Sequence, residues 1–372
     1  MAQISSQDPS KQKDVFGLTP AEQYWRDHYD WLLQSGYELR PRYRPDWVPS
    51  WQGTARPAYW CEDGRSYALP QIMDAVRTSD GEMVMLKQVP RSVHPHEVPI
   101  GRYFSSKPRT SDPRNHCFPL YDVLQDPKDG DLQIIVMPLL RRYNDPRFET
   151  VGEAVEFFRQ VFEGLHFMHE HHVAHRDCQT LNIMMDPRSM FPEMYHPVAT
   201  DKKRDFSTPA KSYTRTQRPT RYLITDFGLS RQYDENETNP LEVPILGADR
   251  SVPEFQEDEE TPRNPFPTDV YYVGNMIRED FLKKYSNLEF MYPLIASMVR
   301  KEPEARPAMS QVAADFRDVV AKLSKWQLRS RLVMRQDDKL TNLLKGAYHF
   351  AYRTIPYLIR RLPPMPTPQA PQ

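Results

Sequence analysis

The stretch His175-Arg176-Asp177-Cys178-Gln179-Thr180-Leu181-Asn182, followed 44 positions after Asn182 by Asp226-Phe227-Gly228, supplies one base and two oxygen ligands. An aspartate beside an incoming hydroxyl can accept its proton. An amide oxygen and a second carboxylate suit Mg²⁺, a hard ion that prefers oxygen. Phosphoryl transfer is the chemistry such a set would serve, because it asks the protein for an in-line nucleophile and for cations on the phosphates. Asp177 and Asn182 stand five apart, too far for neighbouring positions on one helical face, so the spacing predicts a loop.

Such a loop must be held by regular elements, and the flanking sequence predicts them. Thr150-Val151-Gly152-Glu153 caps a helix whose Val155, Phe158, Val161, Phe162, Leu165 and Met168 form an apolar stripe ending just before the loop. Asn182–Asp186 and Tyr222–Thr225 read as two strands. Further upstream, Ile72–Arg77, a Ser79-Asp80-Gly81 turn and Glu82–Val89 predict a β-hairpin, and Leu132–Leu140 a strand running into a connector. Nearer the N-terminus, Thr19-Pro20-Ala21-Glu22 predicts a capped helix running through Trp25, Tyr29 and Leu33 to a stop at Gly36. Prolines recur every four residues in Arg40–Trp51 and predict an extended arm, either a strap for a partner or a segment packed on its own domain. Residues 1–18 are polar, with no folded element expected.

Together and in this order, the loop and the Asp-Phe-Gly turn resemble the catalytic loop and metal-binding turn of eukaryotic protein kinases. The resemblance covers roughly residues 65–325 and implies an α+β, two-lobed fold with a small β-rich lobe and a larger helical one. It divides the chain into an N-terminal extension (1–59), a small lobe with its hinge (60–140), a large lobe (141–326) and a C-terminal tail (327–372). It also implies ATP and Mg²⁺ as cofactors and a protein hydroxyl as acceptor. Asp177 would be the base, and Asn182 and Asp226 the metal ligands. Val84-Met85-Leu86-Lys87 resembles the kinase Val-Ala-Ile-Lys strand, which makes Lys87 the phosphate anchor. Glu97, the only acidic residue between Lys87 and Asp112, would orient that lysine. Met137 falls at the gatekeeper position, and Leu140 and Met184 join the nucleotide-binding set. Asp269 would bond the catalytic-loop backbone, while Glu254 of Val252-Pro253-Glu254 would pair with Arg306 of the late Arg-Pro. That last pair is usually missing from small-molecule kinases.

Three departures from the family pattern keep a second function in view. No Gly-x-Gly-x-x-Gly precedes Lys87; Met85 stands where a small alanine is usual; Gln179 replaces the lysine of serine/threonine kinases. Leu181 occupies the place where tyrosine kinases carry an arginine. A phosphotransferase and a non-catalytic scaffold of the same fold are therefore the two readings.

The remaining features bound the setting. The chain has 372 residues, a net charge of −1, 36 prolines and three cysteines without metal-ligand spacing. No overall field favours nucleic acid, no stretch reaches transmembrane length, and a reducing intracellular compartment, cytoplasmic or nuclear, is expected. Oligomeric state is not legible. Five histidines between His166 and His175 could be packed residues or a metal site. Residues 187–221 form an insert with eight Lys/Arg against three acids, while 229–260 carries ten acids against two arginines. The two segments either dock or remain separately solvated. Arg176 needs an anion, and Asp234, Glu235 and Glu237 are the expected suppliers. Tyr357–Leu362 in the tail reads as either a membrane-surface helix or a packed one.

Overall fold

Thr19 caps the first helix as its sequence predicts. In the computed structural model, which describes residues 17–245, 249–258 and 260–369, its hydroxyl accepts from the Glu22 N–H. The Glu22 carboxylate accepts from the Thr19 N–H in return, closing a capping box over α1 (Pro20–Asp27). The polar stretch 1–18 lies outside the described residues except for its last two. The helix does not run on to Gly36. His28 leaves helical geometry with its ring 4.1 Å from that of Tyr24 and its Nδ1 2.7 Å from the Tyr24 carbonyl, and α2 (Tyr29–Gln34) starts afresh. Gly36, at φ +94°, then turns the chain into strand β1 (Tyr37–Leu39).

The chain forms two units by its contacts. The first comprises residues up to Val93, Leu120–Leu139 and Phe191–Lys211. Its centre is a five-stranded antiparallel sheet that adds β2 (Ile72–Arg77), β3 (Met83–Pro90), β4 (Asp122–Gln125) and β5 (Leu132–Pro138) to β1, in the order β1-β2-β3-β5-β4. The predicted hairpin is β2–β3, in register Val76↔Met83. Trp25, Leu32, Tyr37, Tyr43, Leu86 and Val136 are among the side chains packed as its core.

Residues 40–51 are not extended. Pro41 opens a 3₁₀ turn (Pro41–Tyr43), and the arginines around it turn inward. Arg42 donates to Glu22 at 2.8 Å and to the Asp63 carbonyl at 2.5 Å, while Arg40 Nε reaches both Asp74 oxygens at 3.0 and 3.1 Å. Both the Trp47 indole and Ser50 donate to Asp63. Buried guanidinium groups need such partners, so the segment is an integral part of its own unit.

The second unit comprises His94–Pro119, Leu140–Met190 and residues from Ser212 onward. It begins with α3 (Glu97–Ser105) and β6 (Arg141–Arg142), followed by the long α4 (Val151–Glu170), which Thr150 caps by accepting from the Glu153 N–H. Strands β7 (Val173–Ala174), β8 (Ile183–Met185), β9 (Tyr222–Ile224) and β10 (Arg231–Gln232) frame the predicted loop. β8 and β9 pair antiparallel in register Met184↔Leu223. Helices α5 (Pro253–Glu257), α6 (Pro265–Ile277), α7 (Tyr292–Met298) and α8 (Met309–Ala321) follow, then α9 (Lys325–Arg329), α10 (Lys339–His349) and α11 (Ile355–Ile359) in the tail. The expected stripe of α4, Val155 to Met168, is buried, and Phe162 meets Phe316 of α8 edge to face at 5.1 Å. Among the described residues no helix is long and apolar enough to cross a membrane.

This grouping differs from boundaries at 59, 140 and 326. Residues 17–59 and 191–211 belong to the unit that holds the sheet, and the helix carrying Glu97 joins the helical unit.

Candidate active site

One buried carboxylate organises the loop. Asp269, on the second turn of α6, is wholly inaccessible and accepts from the main-chain N–H groups of His175 and Arg176, both at 2.7 Å. His169 Nε2, at the end of α4, lies 3.1 Å from the same carboxylate. Asn264 and Pro265 start α6 ahead of Asp269, with the Asn264 side chain accepting from the Phe266 N–H. The His175 ring then braces both ends of the site. Its Nε2 lies 3.0 Å from the Thr225 carbonyl and its Nδ1 3.2 Å from the Asp177 N–H, which together place the ring proton on Nε2.

On this frame the loop closes on itself. The Asn182 amide nitrogen donates to the Asp177 carbonyl at 2.9 Å and to its carboxylate at 2.8 Å. Thr225 donates from both its N–H, at 2.8 Å, and its hydroxyl to the Asn182 carbonyl, which brings Asp226 alongside. Asp226 is exposed and held at φ +66°, a left-handed conformation unusual for a residue with a side chain, and its carboxylate accepts from the Gly228 N–H. A β-carbon on Gly228 would lie 3.1 Å from His94 Nδ1 and 3.3 Å from Glu97 Oε2, so the turn packs closely on α3 and a larger residue there would push those side chains aside. Phe227 stacks on Phe118 at 5.0 Å and sits 6.0 Å from Phe104 and 5.9 Å from His175. These aromatic contacts lock the turn, α3 and the loop into one packed group.

The second unit thus brings Asp177, Asn182 and Asp226 together, with Glu97 buried on α3, Met184 half-buried on β8 and Leu140 half-buried just before β6. Lys87 and Met137 belong to the first unit. Lys87 stands opposite Ile135 and Met85 opposite Met137, so alternation puts all four on one face of the sheet. Gln179 does not extend in the manner of the lysine it replaces. Its amide oxygen accepts from the Leu181 N–H at 3.2 Å, tying it to its own loop.

The donor set fits a hard cation. With its nitrogen committed to Asp177, Asn182 offers its amide oxygen, and Asp226 offers an exposed carboxylate. The histidines make protein contacts instead: His171 lies against the Phe167 carbonyl and His166 against Glu170, and among the described residues no group of three or more His, Cys, Asp or Glu side chains could hold a metal.

Arg176 finds its anion elsewhere than Asp234, Glu235 or Glu237. It lies 3.4 Å from Glu242 and donates to the carbonyls of Val243 and Leu229, at 3.0 and 3.3 Å. Burial pushes the guanidinium below its usual range, with Glu242 pulling the other way. Nothing in the sequence set Glu242 apart from the other nine acids of its segment. Ser230 is wholly buried and donates to the His175 carbonyl, so it offers no accessible hydroxyl. The segment is therefore expected to be ordered without a phosphate. Limited proteolysis of residues 231–258 should be unaffected by phosphatase treatment and accelerated several-fold in Glu242→Gln. An equal acceleration on dephosphorylation would show that a phosphate does the ordering.

Four arginines of the basic insert find their partners outside the acidic segment. Arg215 is buried on the carbonyls of Tyr143 and Pro146, Arg218 reaches the Ser189 carbonyl, Arg221 the Asn115 carbonyl, and Arg188 pairs with Asp186. Glu254 and Arg306, by contrast, form the expected bidentate pair at 2.8 and 2.6 Å, both nearly inaccessible.

Comparison with known proteins points the same way as the geometry. The family model for the protein kinase domain matches residues 70–337. A light-sensor protein kinase of Ceratodon purpureus is 26% identical over 186 residues, which is 44% of this chain and 12% of that protein. The serine/threonine-protein kinase CAK1 of Saccharomyces cerevisiae is 30% identical over 79 residues, 21% of this chain and 20% of that protein. The matches therefore span only a small part of each relative's length.

Proposed function

The chain belongs to the protein kinase family, and from that premise we propose that it transfers the γ-phosphoryl group of ATP to a hydroxyl of a protein substrate. The observation that carries this reading is the closed set of Asp177, Asn182 and Asp226, tied through the Asn182 amide and Thr225. In this reading Asp177 accepts the proton of the attacking hydroxyl. The amide nitrogen of Asn182 steadies that carboxylate, and Asn182 and Asp226 turn oxygen toward the metal. Mg²⁺, when bound, supplies positive charge that neutralises the phosphates. Lys87 is assigned to those phosphates, Glu97 to orienting it, and Met137, Leu140 and Met184 to the nucleotide base. An intracellular site of action goes with this reading.

The scaffold alternative has its own observations. The connection from β1 to β2 spans residues 40–71 and holds just two glycines, Gly53 and Gly64, in place of a tight glycine hairpin. Gln179 is folded onto its own loop rather than carrying a cation. Loss of one preorganised charge of that kind costs about 10²–10³-fold, which favours slow transfer over none.

Thermal unfolding with and without Mg²⁺ tests nucleotide binding. Mg-ATP at 100 times its dissociation constant should stabilise the chain by about 2.7 kcal/mol. Asp226→Ala should remove the magnesium-dependent part of that stabilisation, read against the variant's own ligand-free melting temperature, which the lost Gly228 N–H contact and the left-handed backbone at this position will lower somewhat. No stabilisation of the wild type at millimolar Mg-ATP would sink the phosphotransferase reading and leave the scaffold.

A further inference from the structure

Helices α10 and α11 are joined by one π-helical turn (Phe350–Thr354) into a continuous rod from Lys339 to Ile359, about 31 Å long at 1.5 Å per residue. Its two faces differ. Asn342, Arg353 and Tyr357 turn toward the body of their unit: Arg331 donates to the Asn342 carbonyl at 3.3 Å, Arg353 pairs with Glu149 at 2.8 Å, and the Tyr357 hydroxyl lies 2.8 Å from Thr214 Oγ1. On the opposite face Leu340, Leu344, Tyr348 and Tyr352, each four residues from the last, are all more than three-fifths exposed, and Leu343 and Ile359 extend the stripe. The rings of Tyr348 and Tyr352 lie 4.7 Å apart. Scattered exposed apolar residues are ordinary, but a continuous stripe along one rod is a docking surface.

Charge decides what covers it. Residues 339–372 hold five Lys/Arg (Lys339, Lys345, Arg353, Arg360, Arg361) and no Asp or Glu, in a chain whose net charge is −1. The rest of the chain therefore carries −6. Lys345 is held by Asp337 and Arg353 by Glu149, while Lys339, Arg360 and Arg361 stand exposed at the two ends of the rod. A second copy docking through the same face would bring like charges together. An anionic lipid surface instead takes the cations on its headgroups and the leucines and tyrosines at the acyl boundary. The rod cannot cross the bilayer.

We propose that this rod lies flat on an anionic membrane, with the Leu340–Ile359 stripe immersed and Lys339, Arg360 and Arg361 on the headgroups. Co-sedimentation of the full chain with phosphatidylcholine vesicles, with and without phosphatidylserine, tests it. Binding is expected to the mixed vesicles, weakening as salt is raised. Arg360→Ala with Arg361→Ala should weaken it by roughly 25-fold, about fivefold per charge. Leu344→Glu with Tyr348→Glu should abolish it without lowering the melting temperature, since both side chains are exposed. Three results would each overturn the proposal: no binding of the wild type to mixed vesicles, undiminished binding of the double glutamate variant, or a concentration-dependent dimer that Leu344→Glu disperses.

Discussion

Asp177→Asn is expected to slow phosphoryl transfer by about 10²–10⁴-fold, the usual contribution of a positioned general base. The substitution is nearly isosteric, and the Asn182 amide can still donate to the Asp177 carbonyl, which is main chain. Loop geometry and Mg-ATP binding should therefore survive. The measurement is transfer of label from γ-labelled ATP to the chain itself or to a mixture of dephosphorylated proteins, with thermal unfolding in Mg-ATP as the control. A variant that binds nucleotide as the wild type does but transfers at an undiminished rate would remove Asp177 from the chemistry. Its role would then be structural, through its contact with Asn182.

The largest expected change in stability comes from Glu254 and Arg306. Both side chains are almost completely buried, and the guanidinium has further acceptors in the carbonyls of Arg300, Pro267 and Lys301. Glu254 also accepts from Thr268. Replacing either partner with alanine leaves the other charge buried, at a cost of about 3–5 kcal/mol. Replacing both should cost much less than the sum. Urea unfolding of the two single variants and the double variant makes a complete cycle, and strictly additive losses would mean that the pair is not coupled.

Sequence was most informative where local chemistry decides the outcome. Thr19 with Glu22 and Thr150 with Glu153 specify helix starts because the capping groups lie within one turn. Asp177, Asn182 and Asp226 could be picked out because their residue types suit one chemistry, and Glu254 and Arg306 because the family resemblance supplied their pairing. What was not legible depended on distant partners. Tyr37–Leu39 is too short to announce a strand, and it becomes one only because Ala75–Arg77 offers an open edge. The sequence left the arginines at 40 and 42 either to a partner or to their own domain, and it is Glu22, Asp63 and Asp74, distant in the chain, that take them inside their own unit. Glu242 is chosen from among ten acids by the path of the backbone, which hydrophobic period and charge count do not encode.

The division into two units has a consequence for how this molecule can be taken apart. The chain passes from one unit to the other after Val93, Pro119, Leu139, Met190 and Lys211. Neither unit is a contiguous length of polypeptide, so no single truncation can isolate either one intact. A lone proteolytic nick at any crossing would leave four other covalent connections in place, and the cut ends would remain near one another at high effective concentration. Cleavage of this chain should thus be visible on a denaturing gel well before it is visible in solution, as two fragments that still travel as one particle.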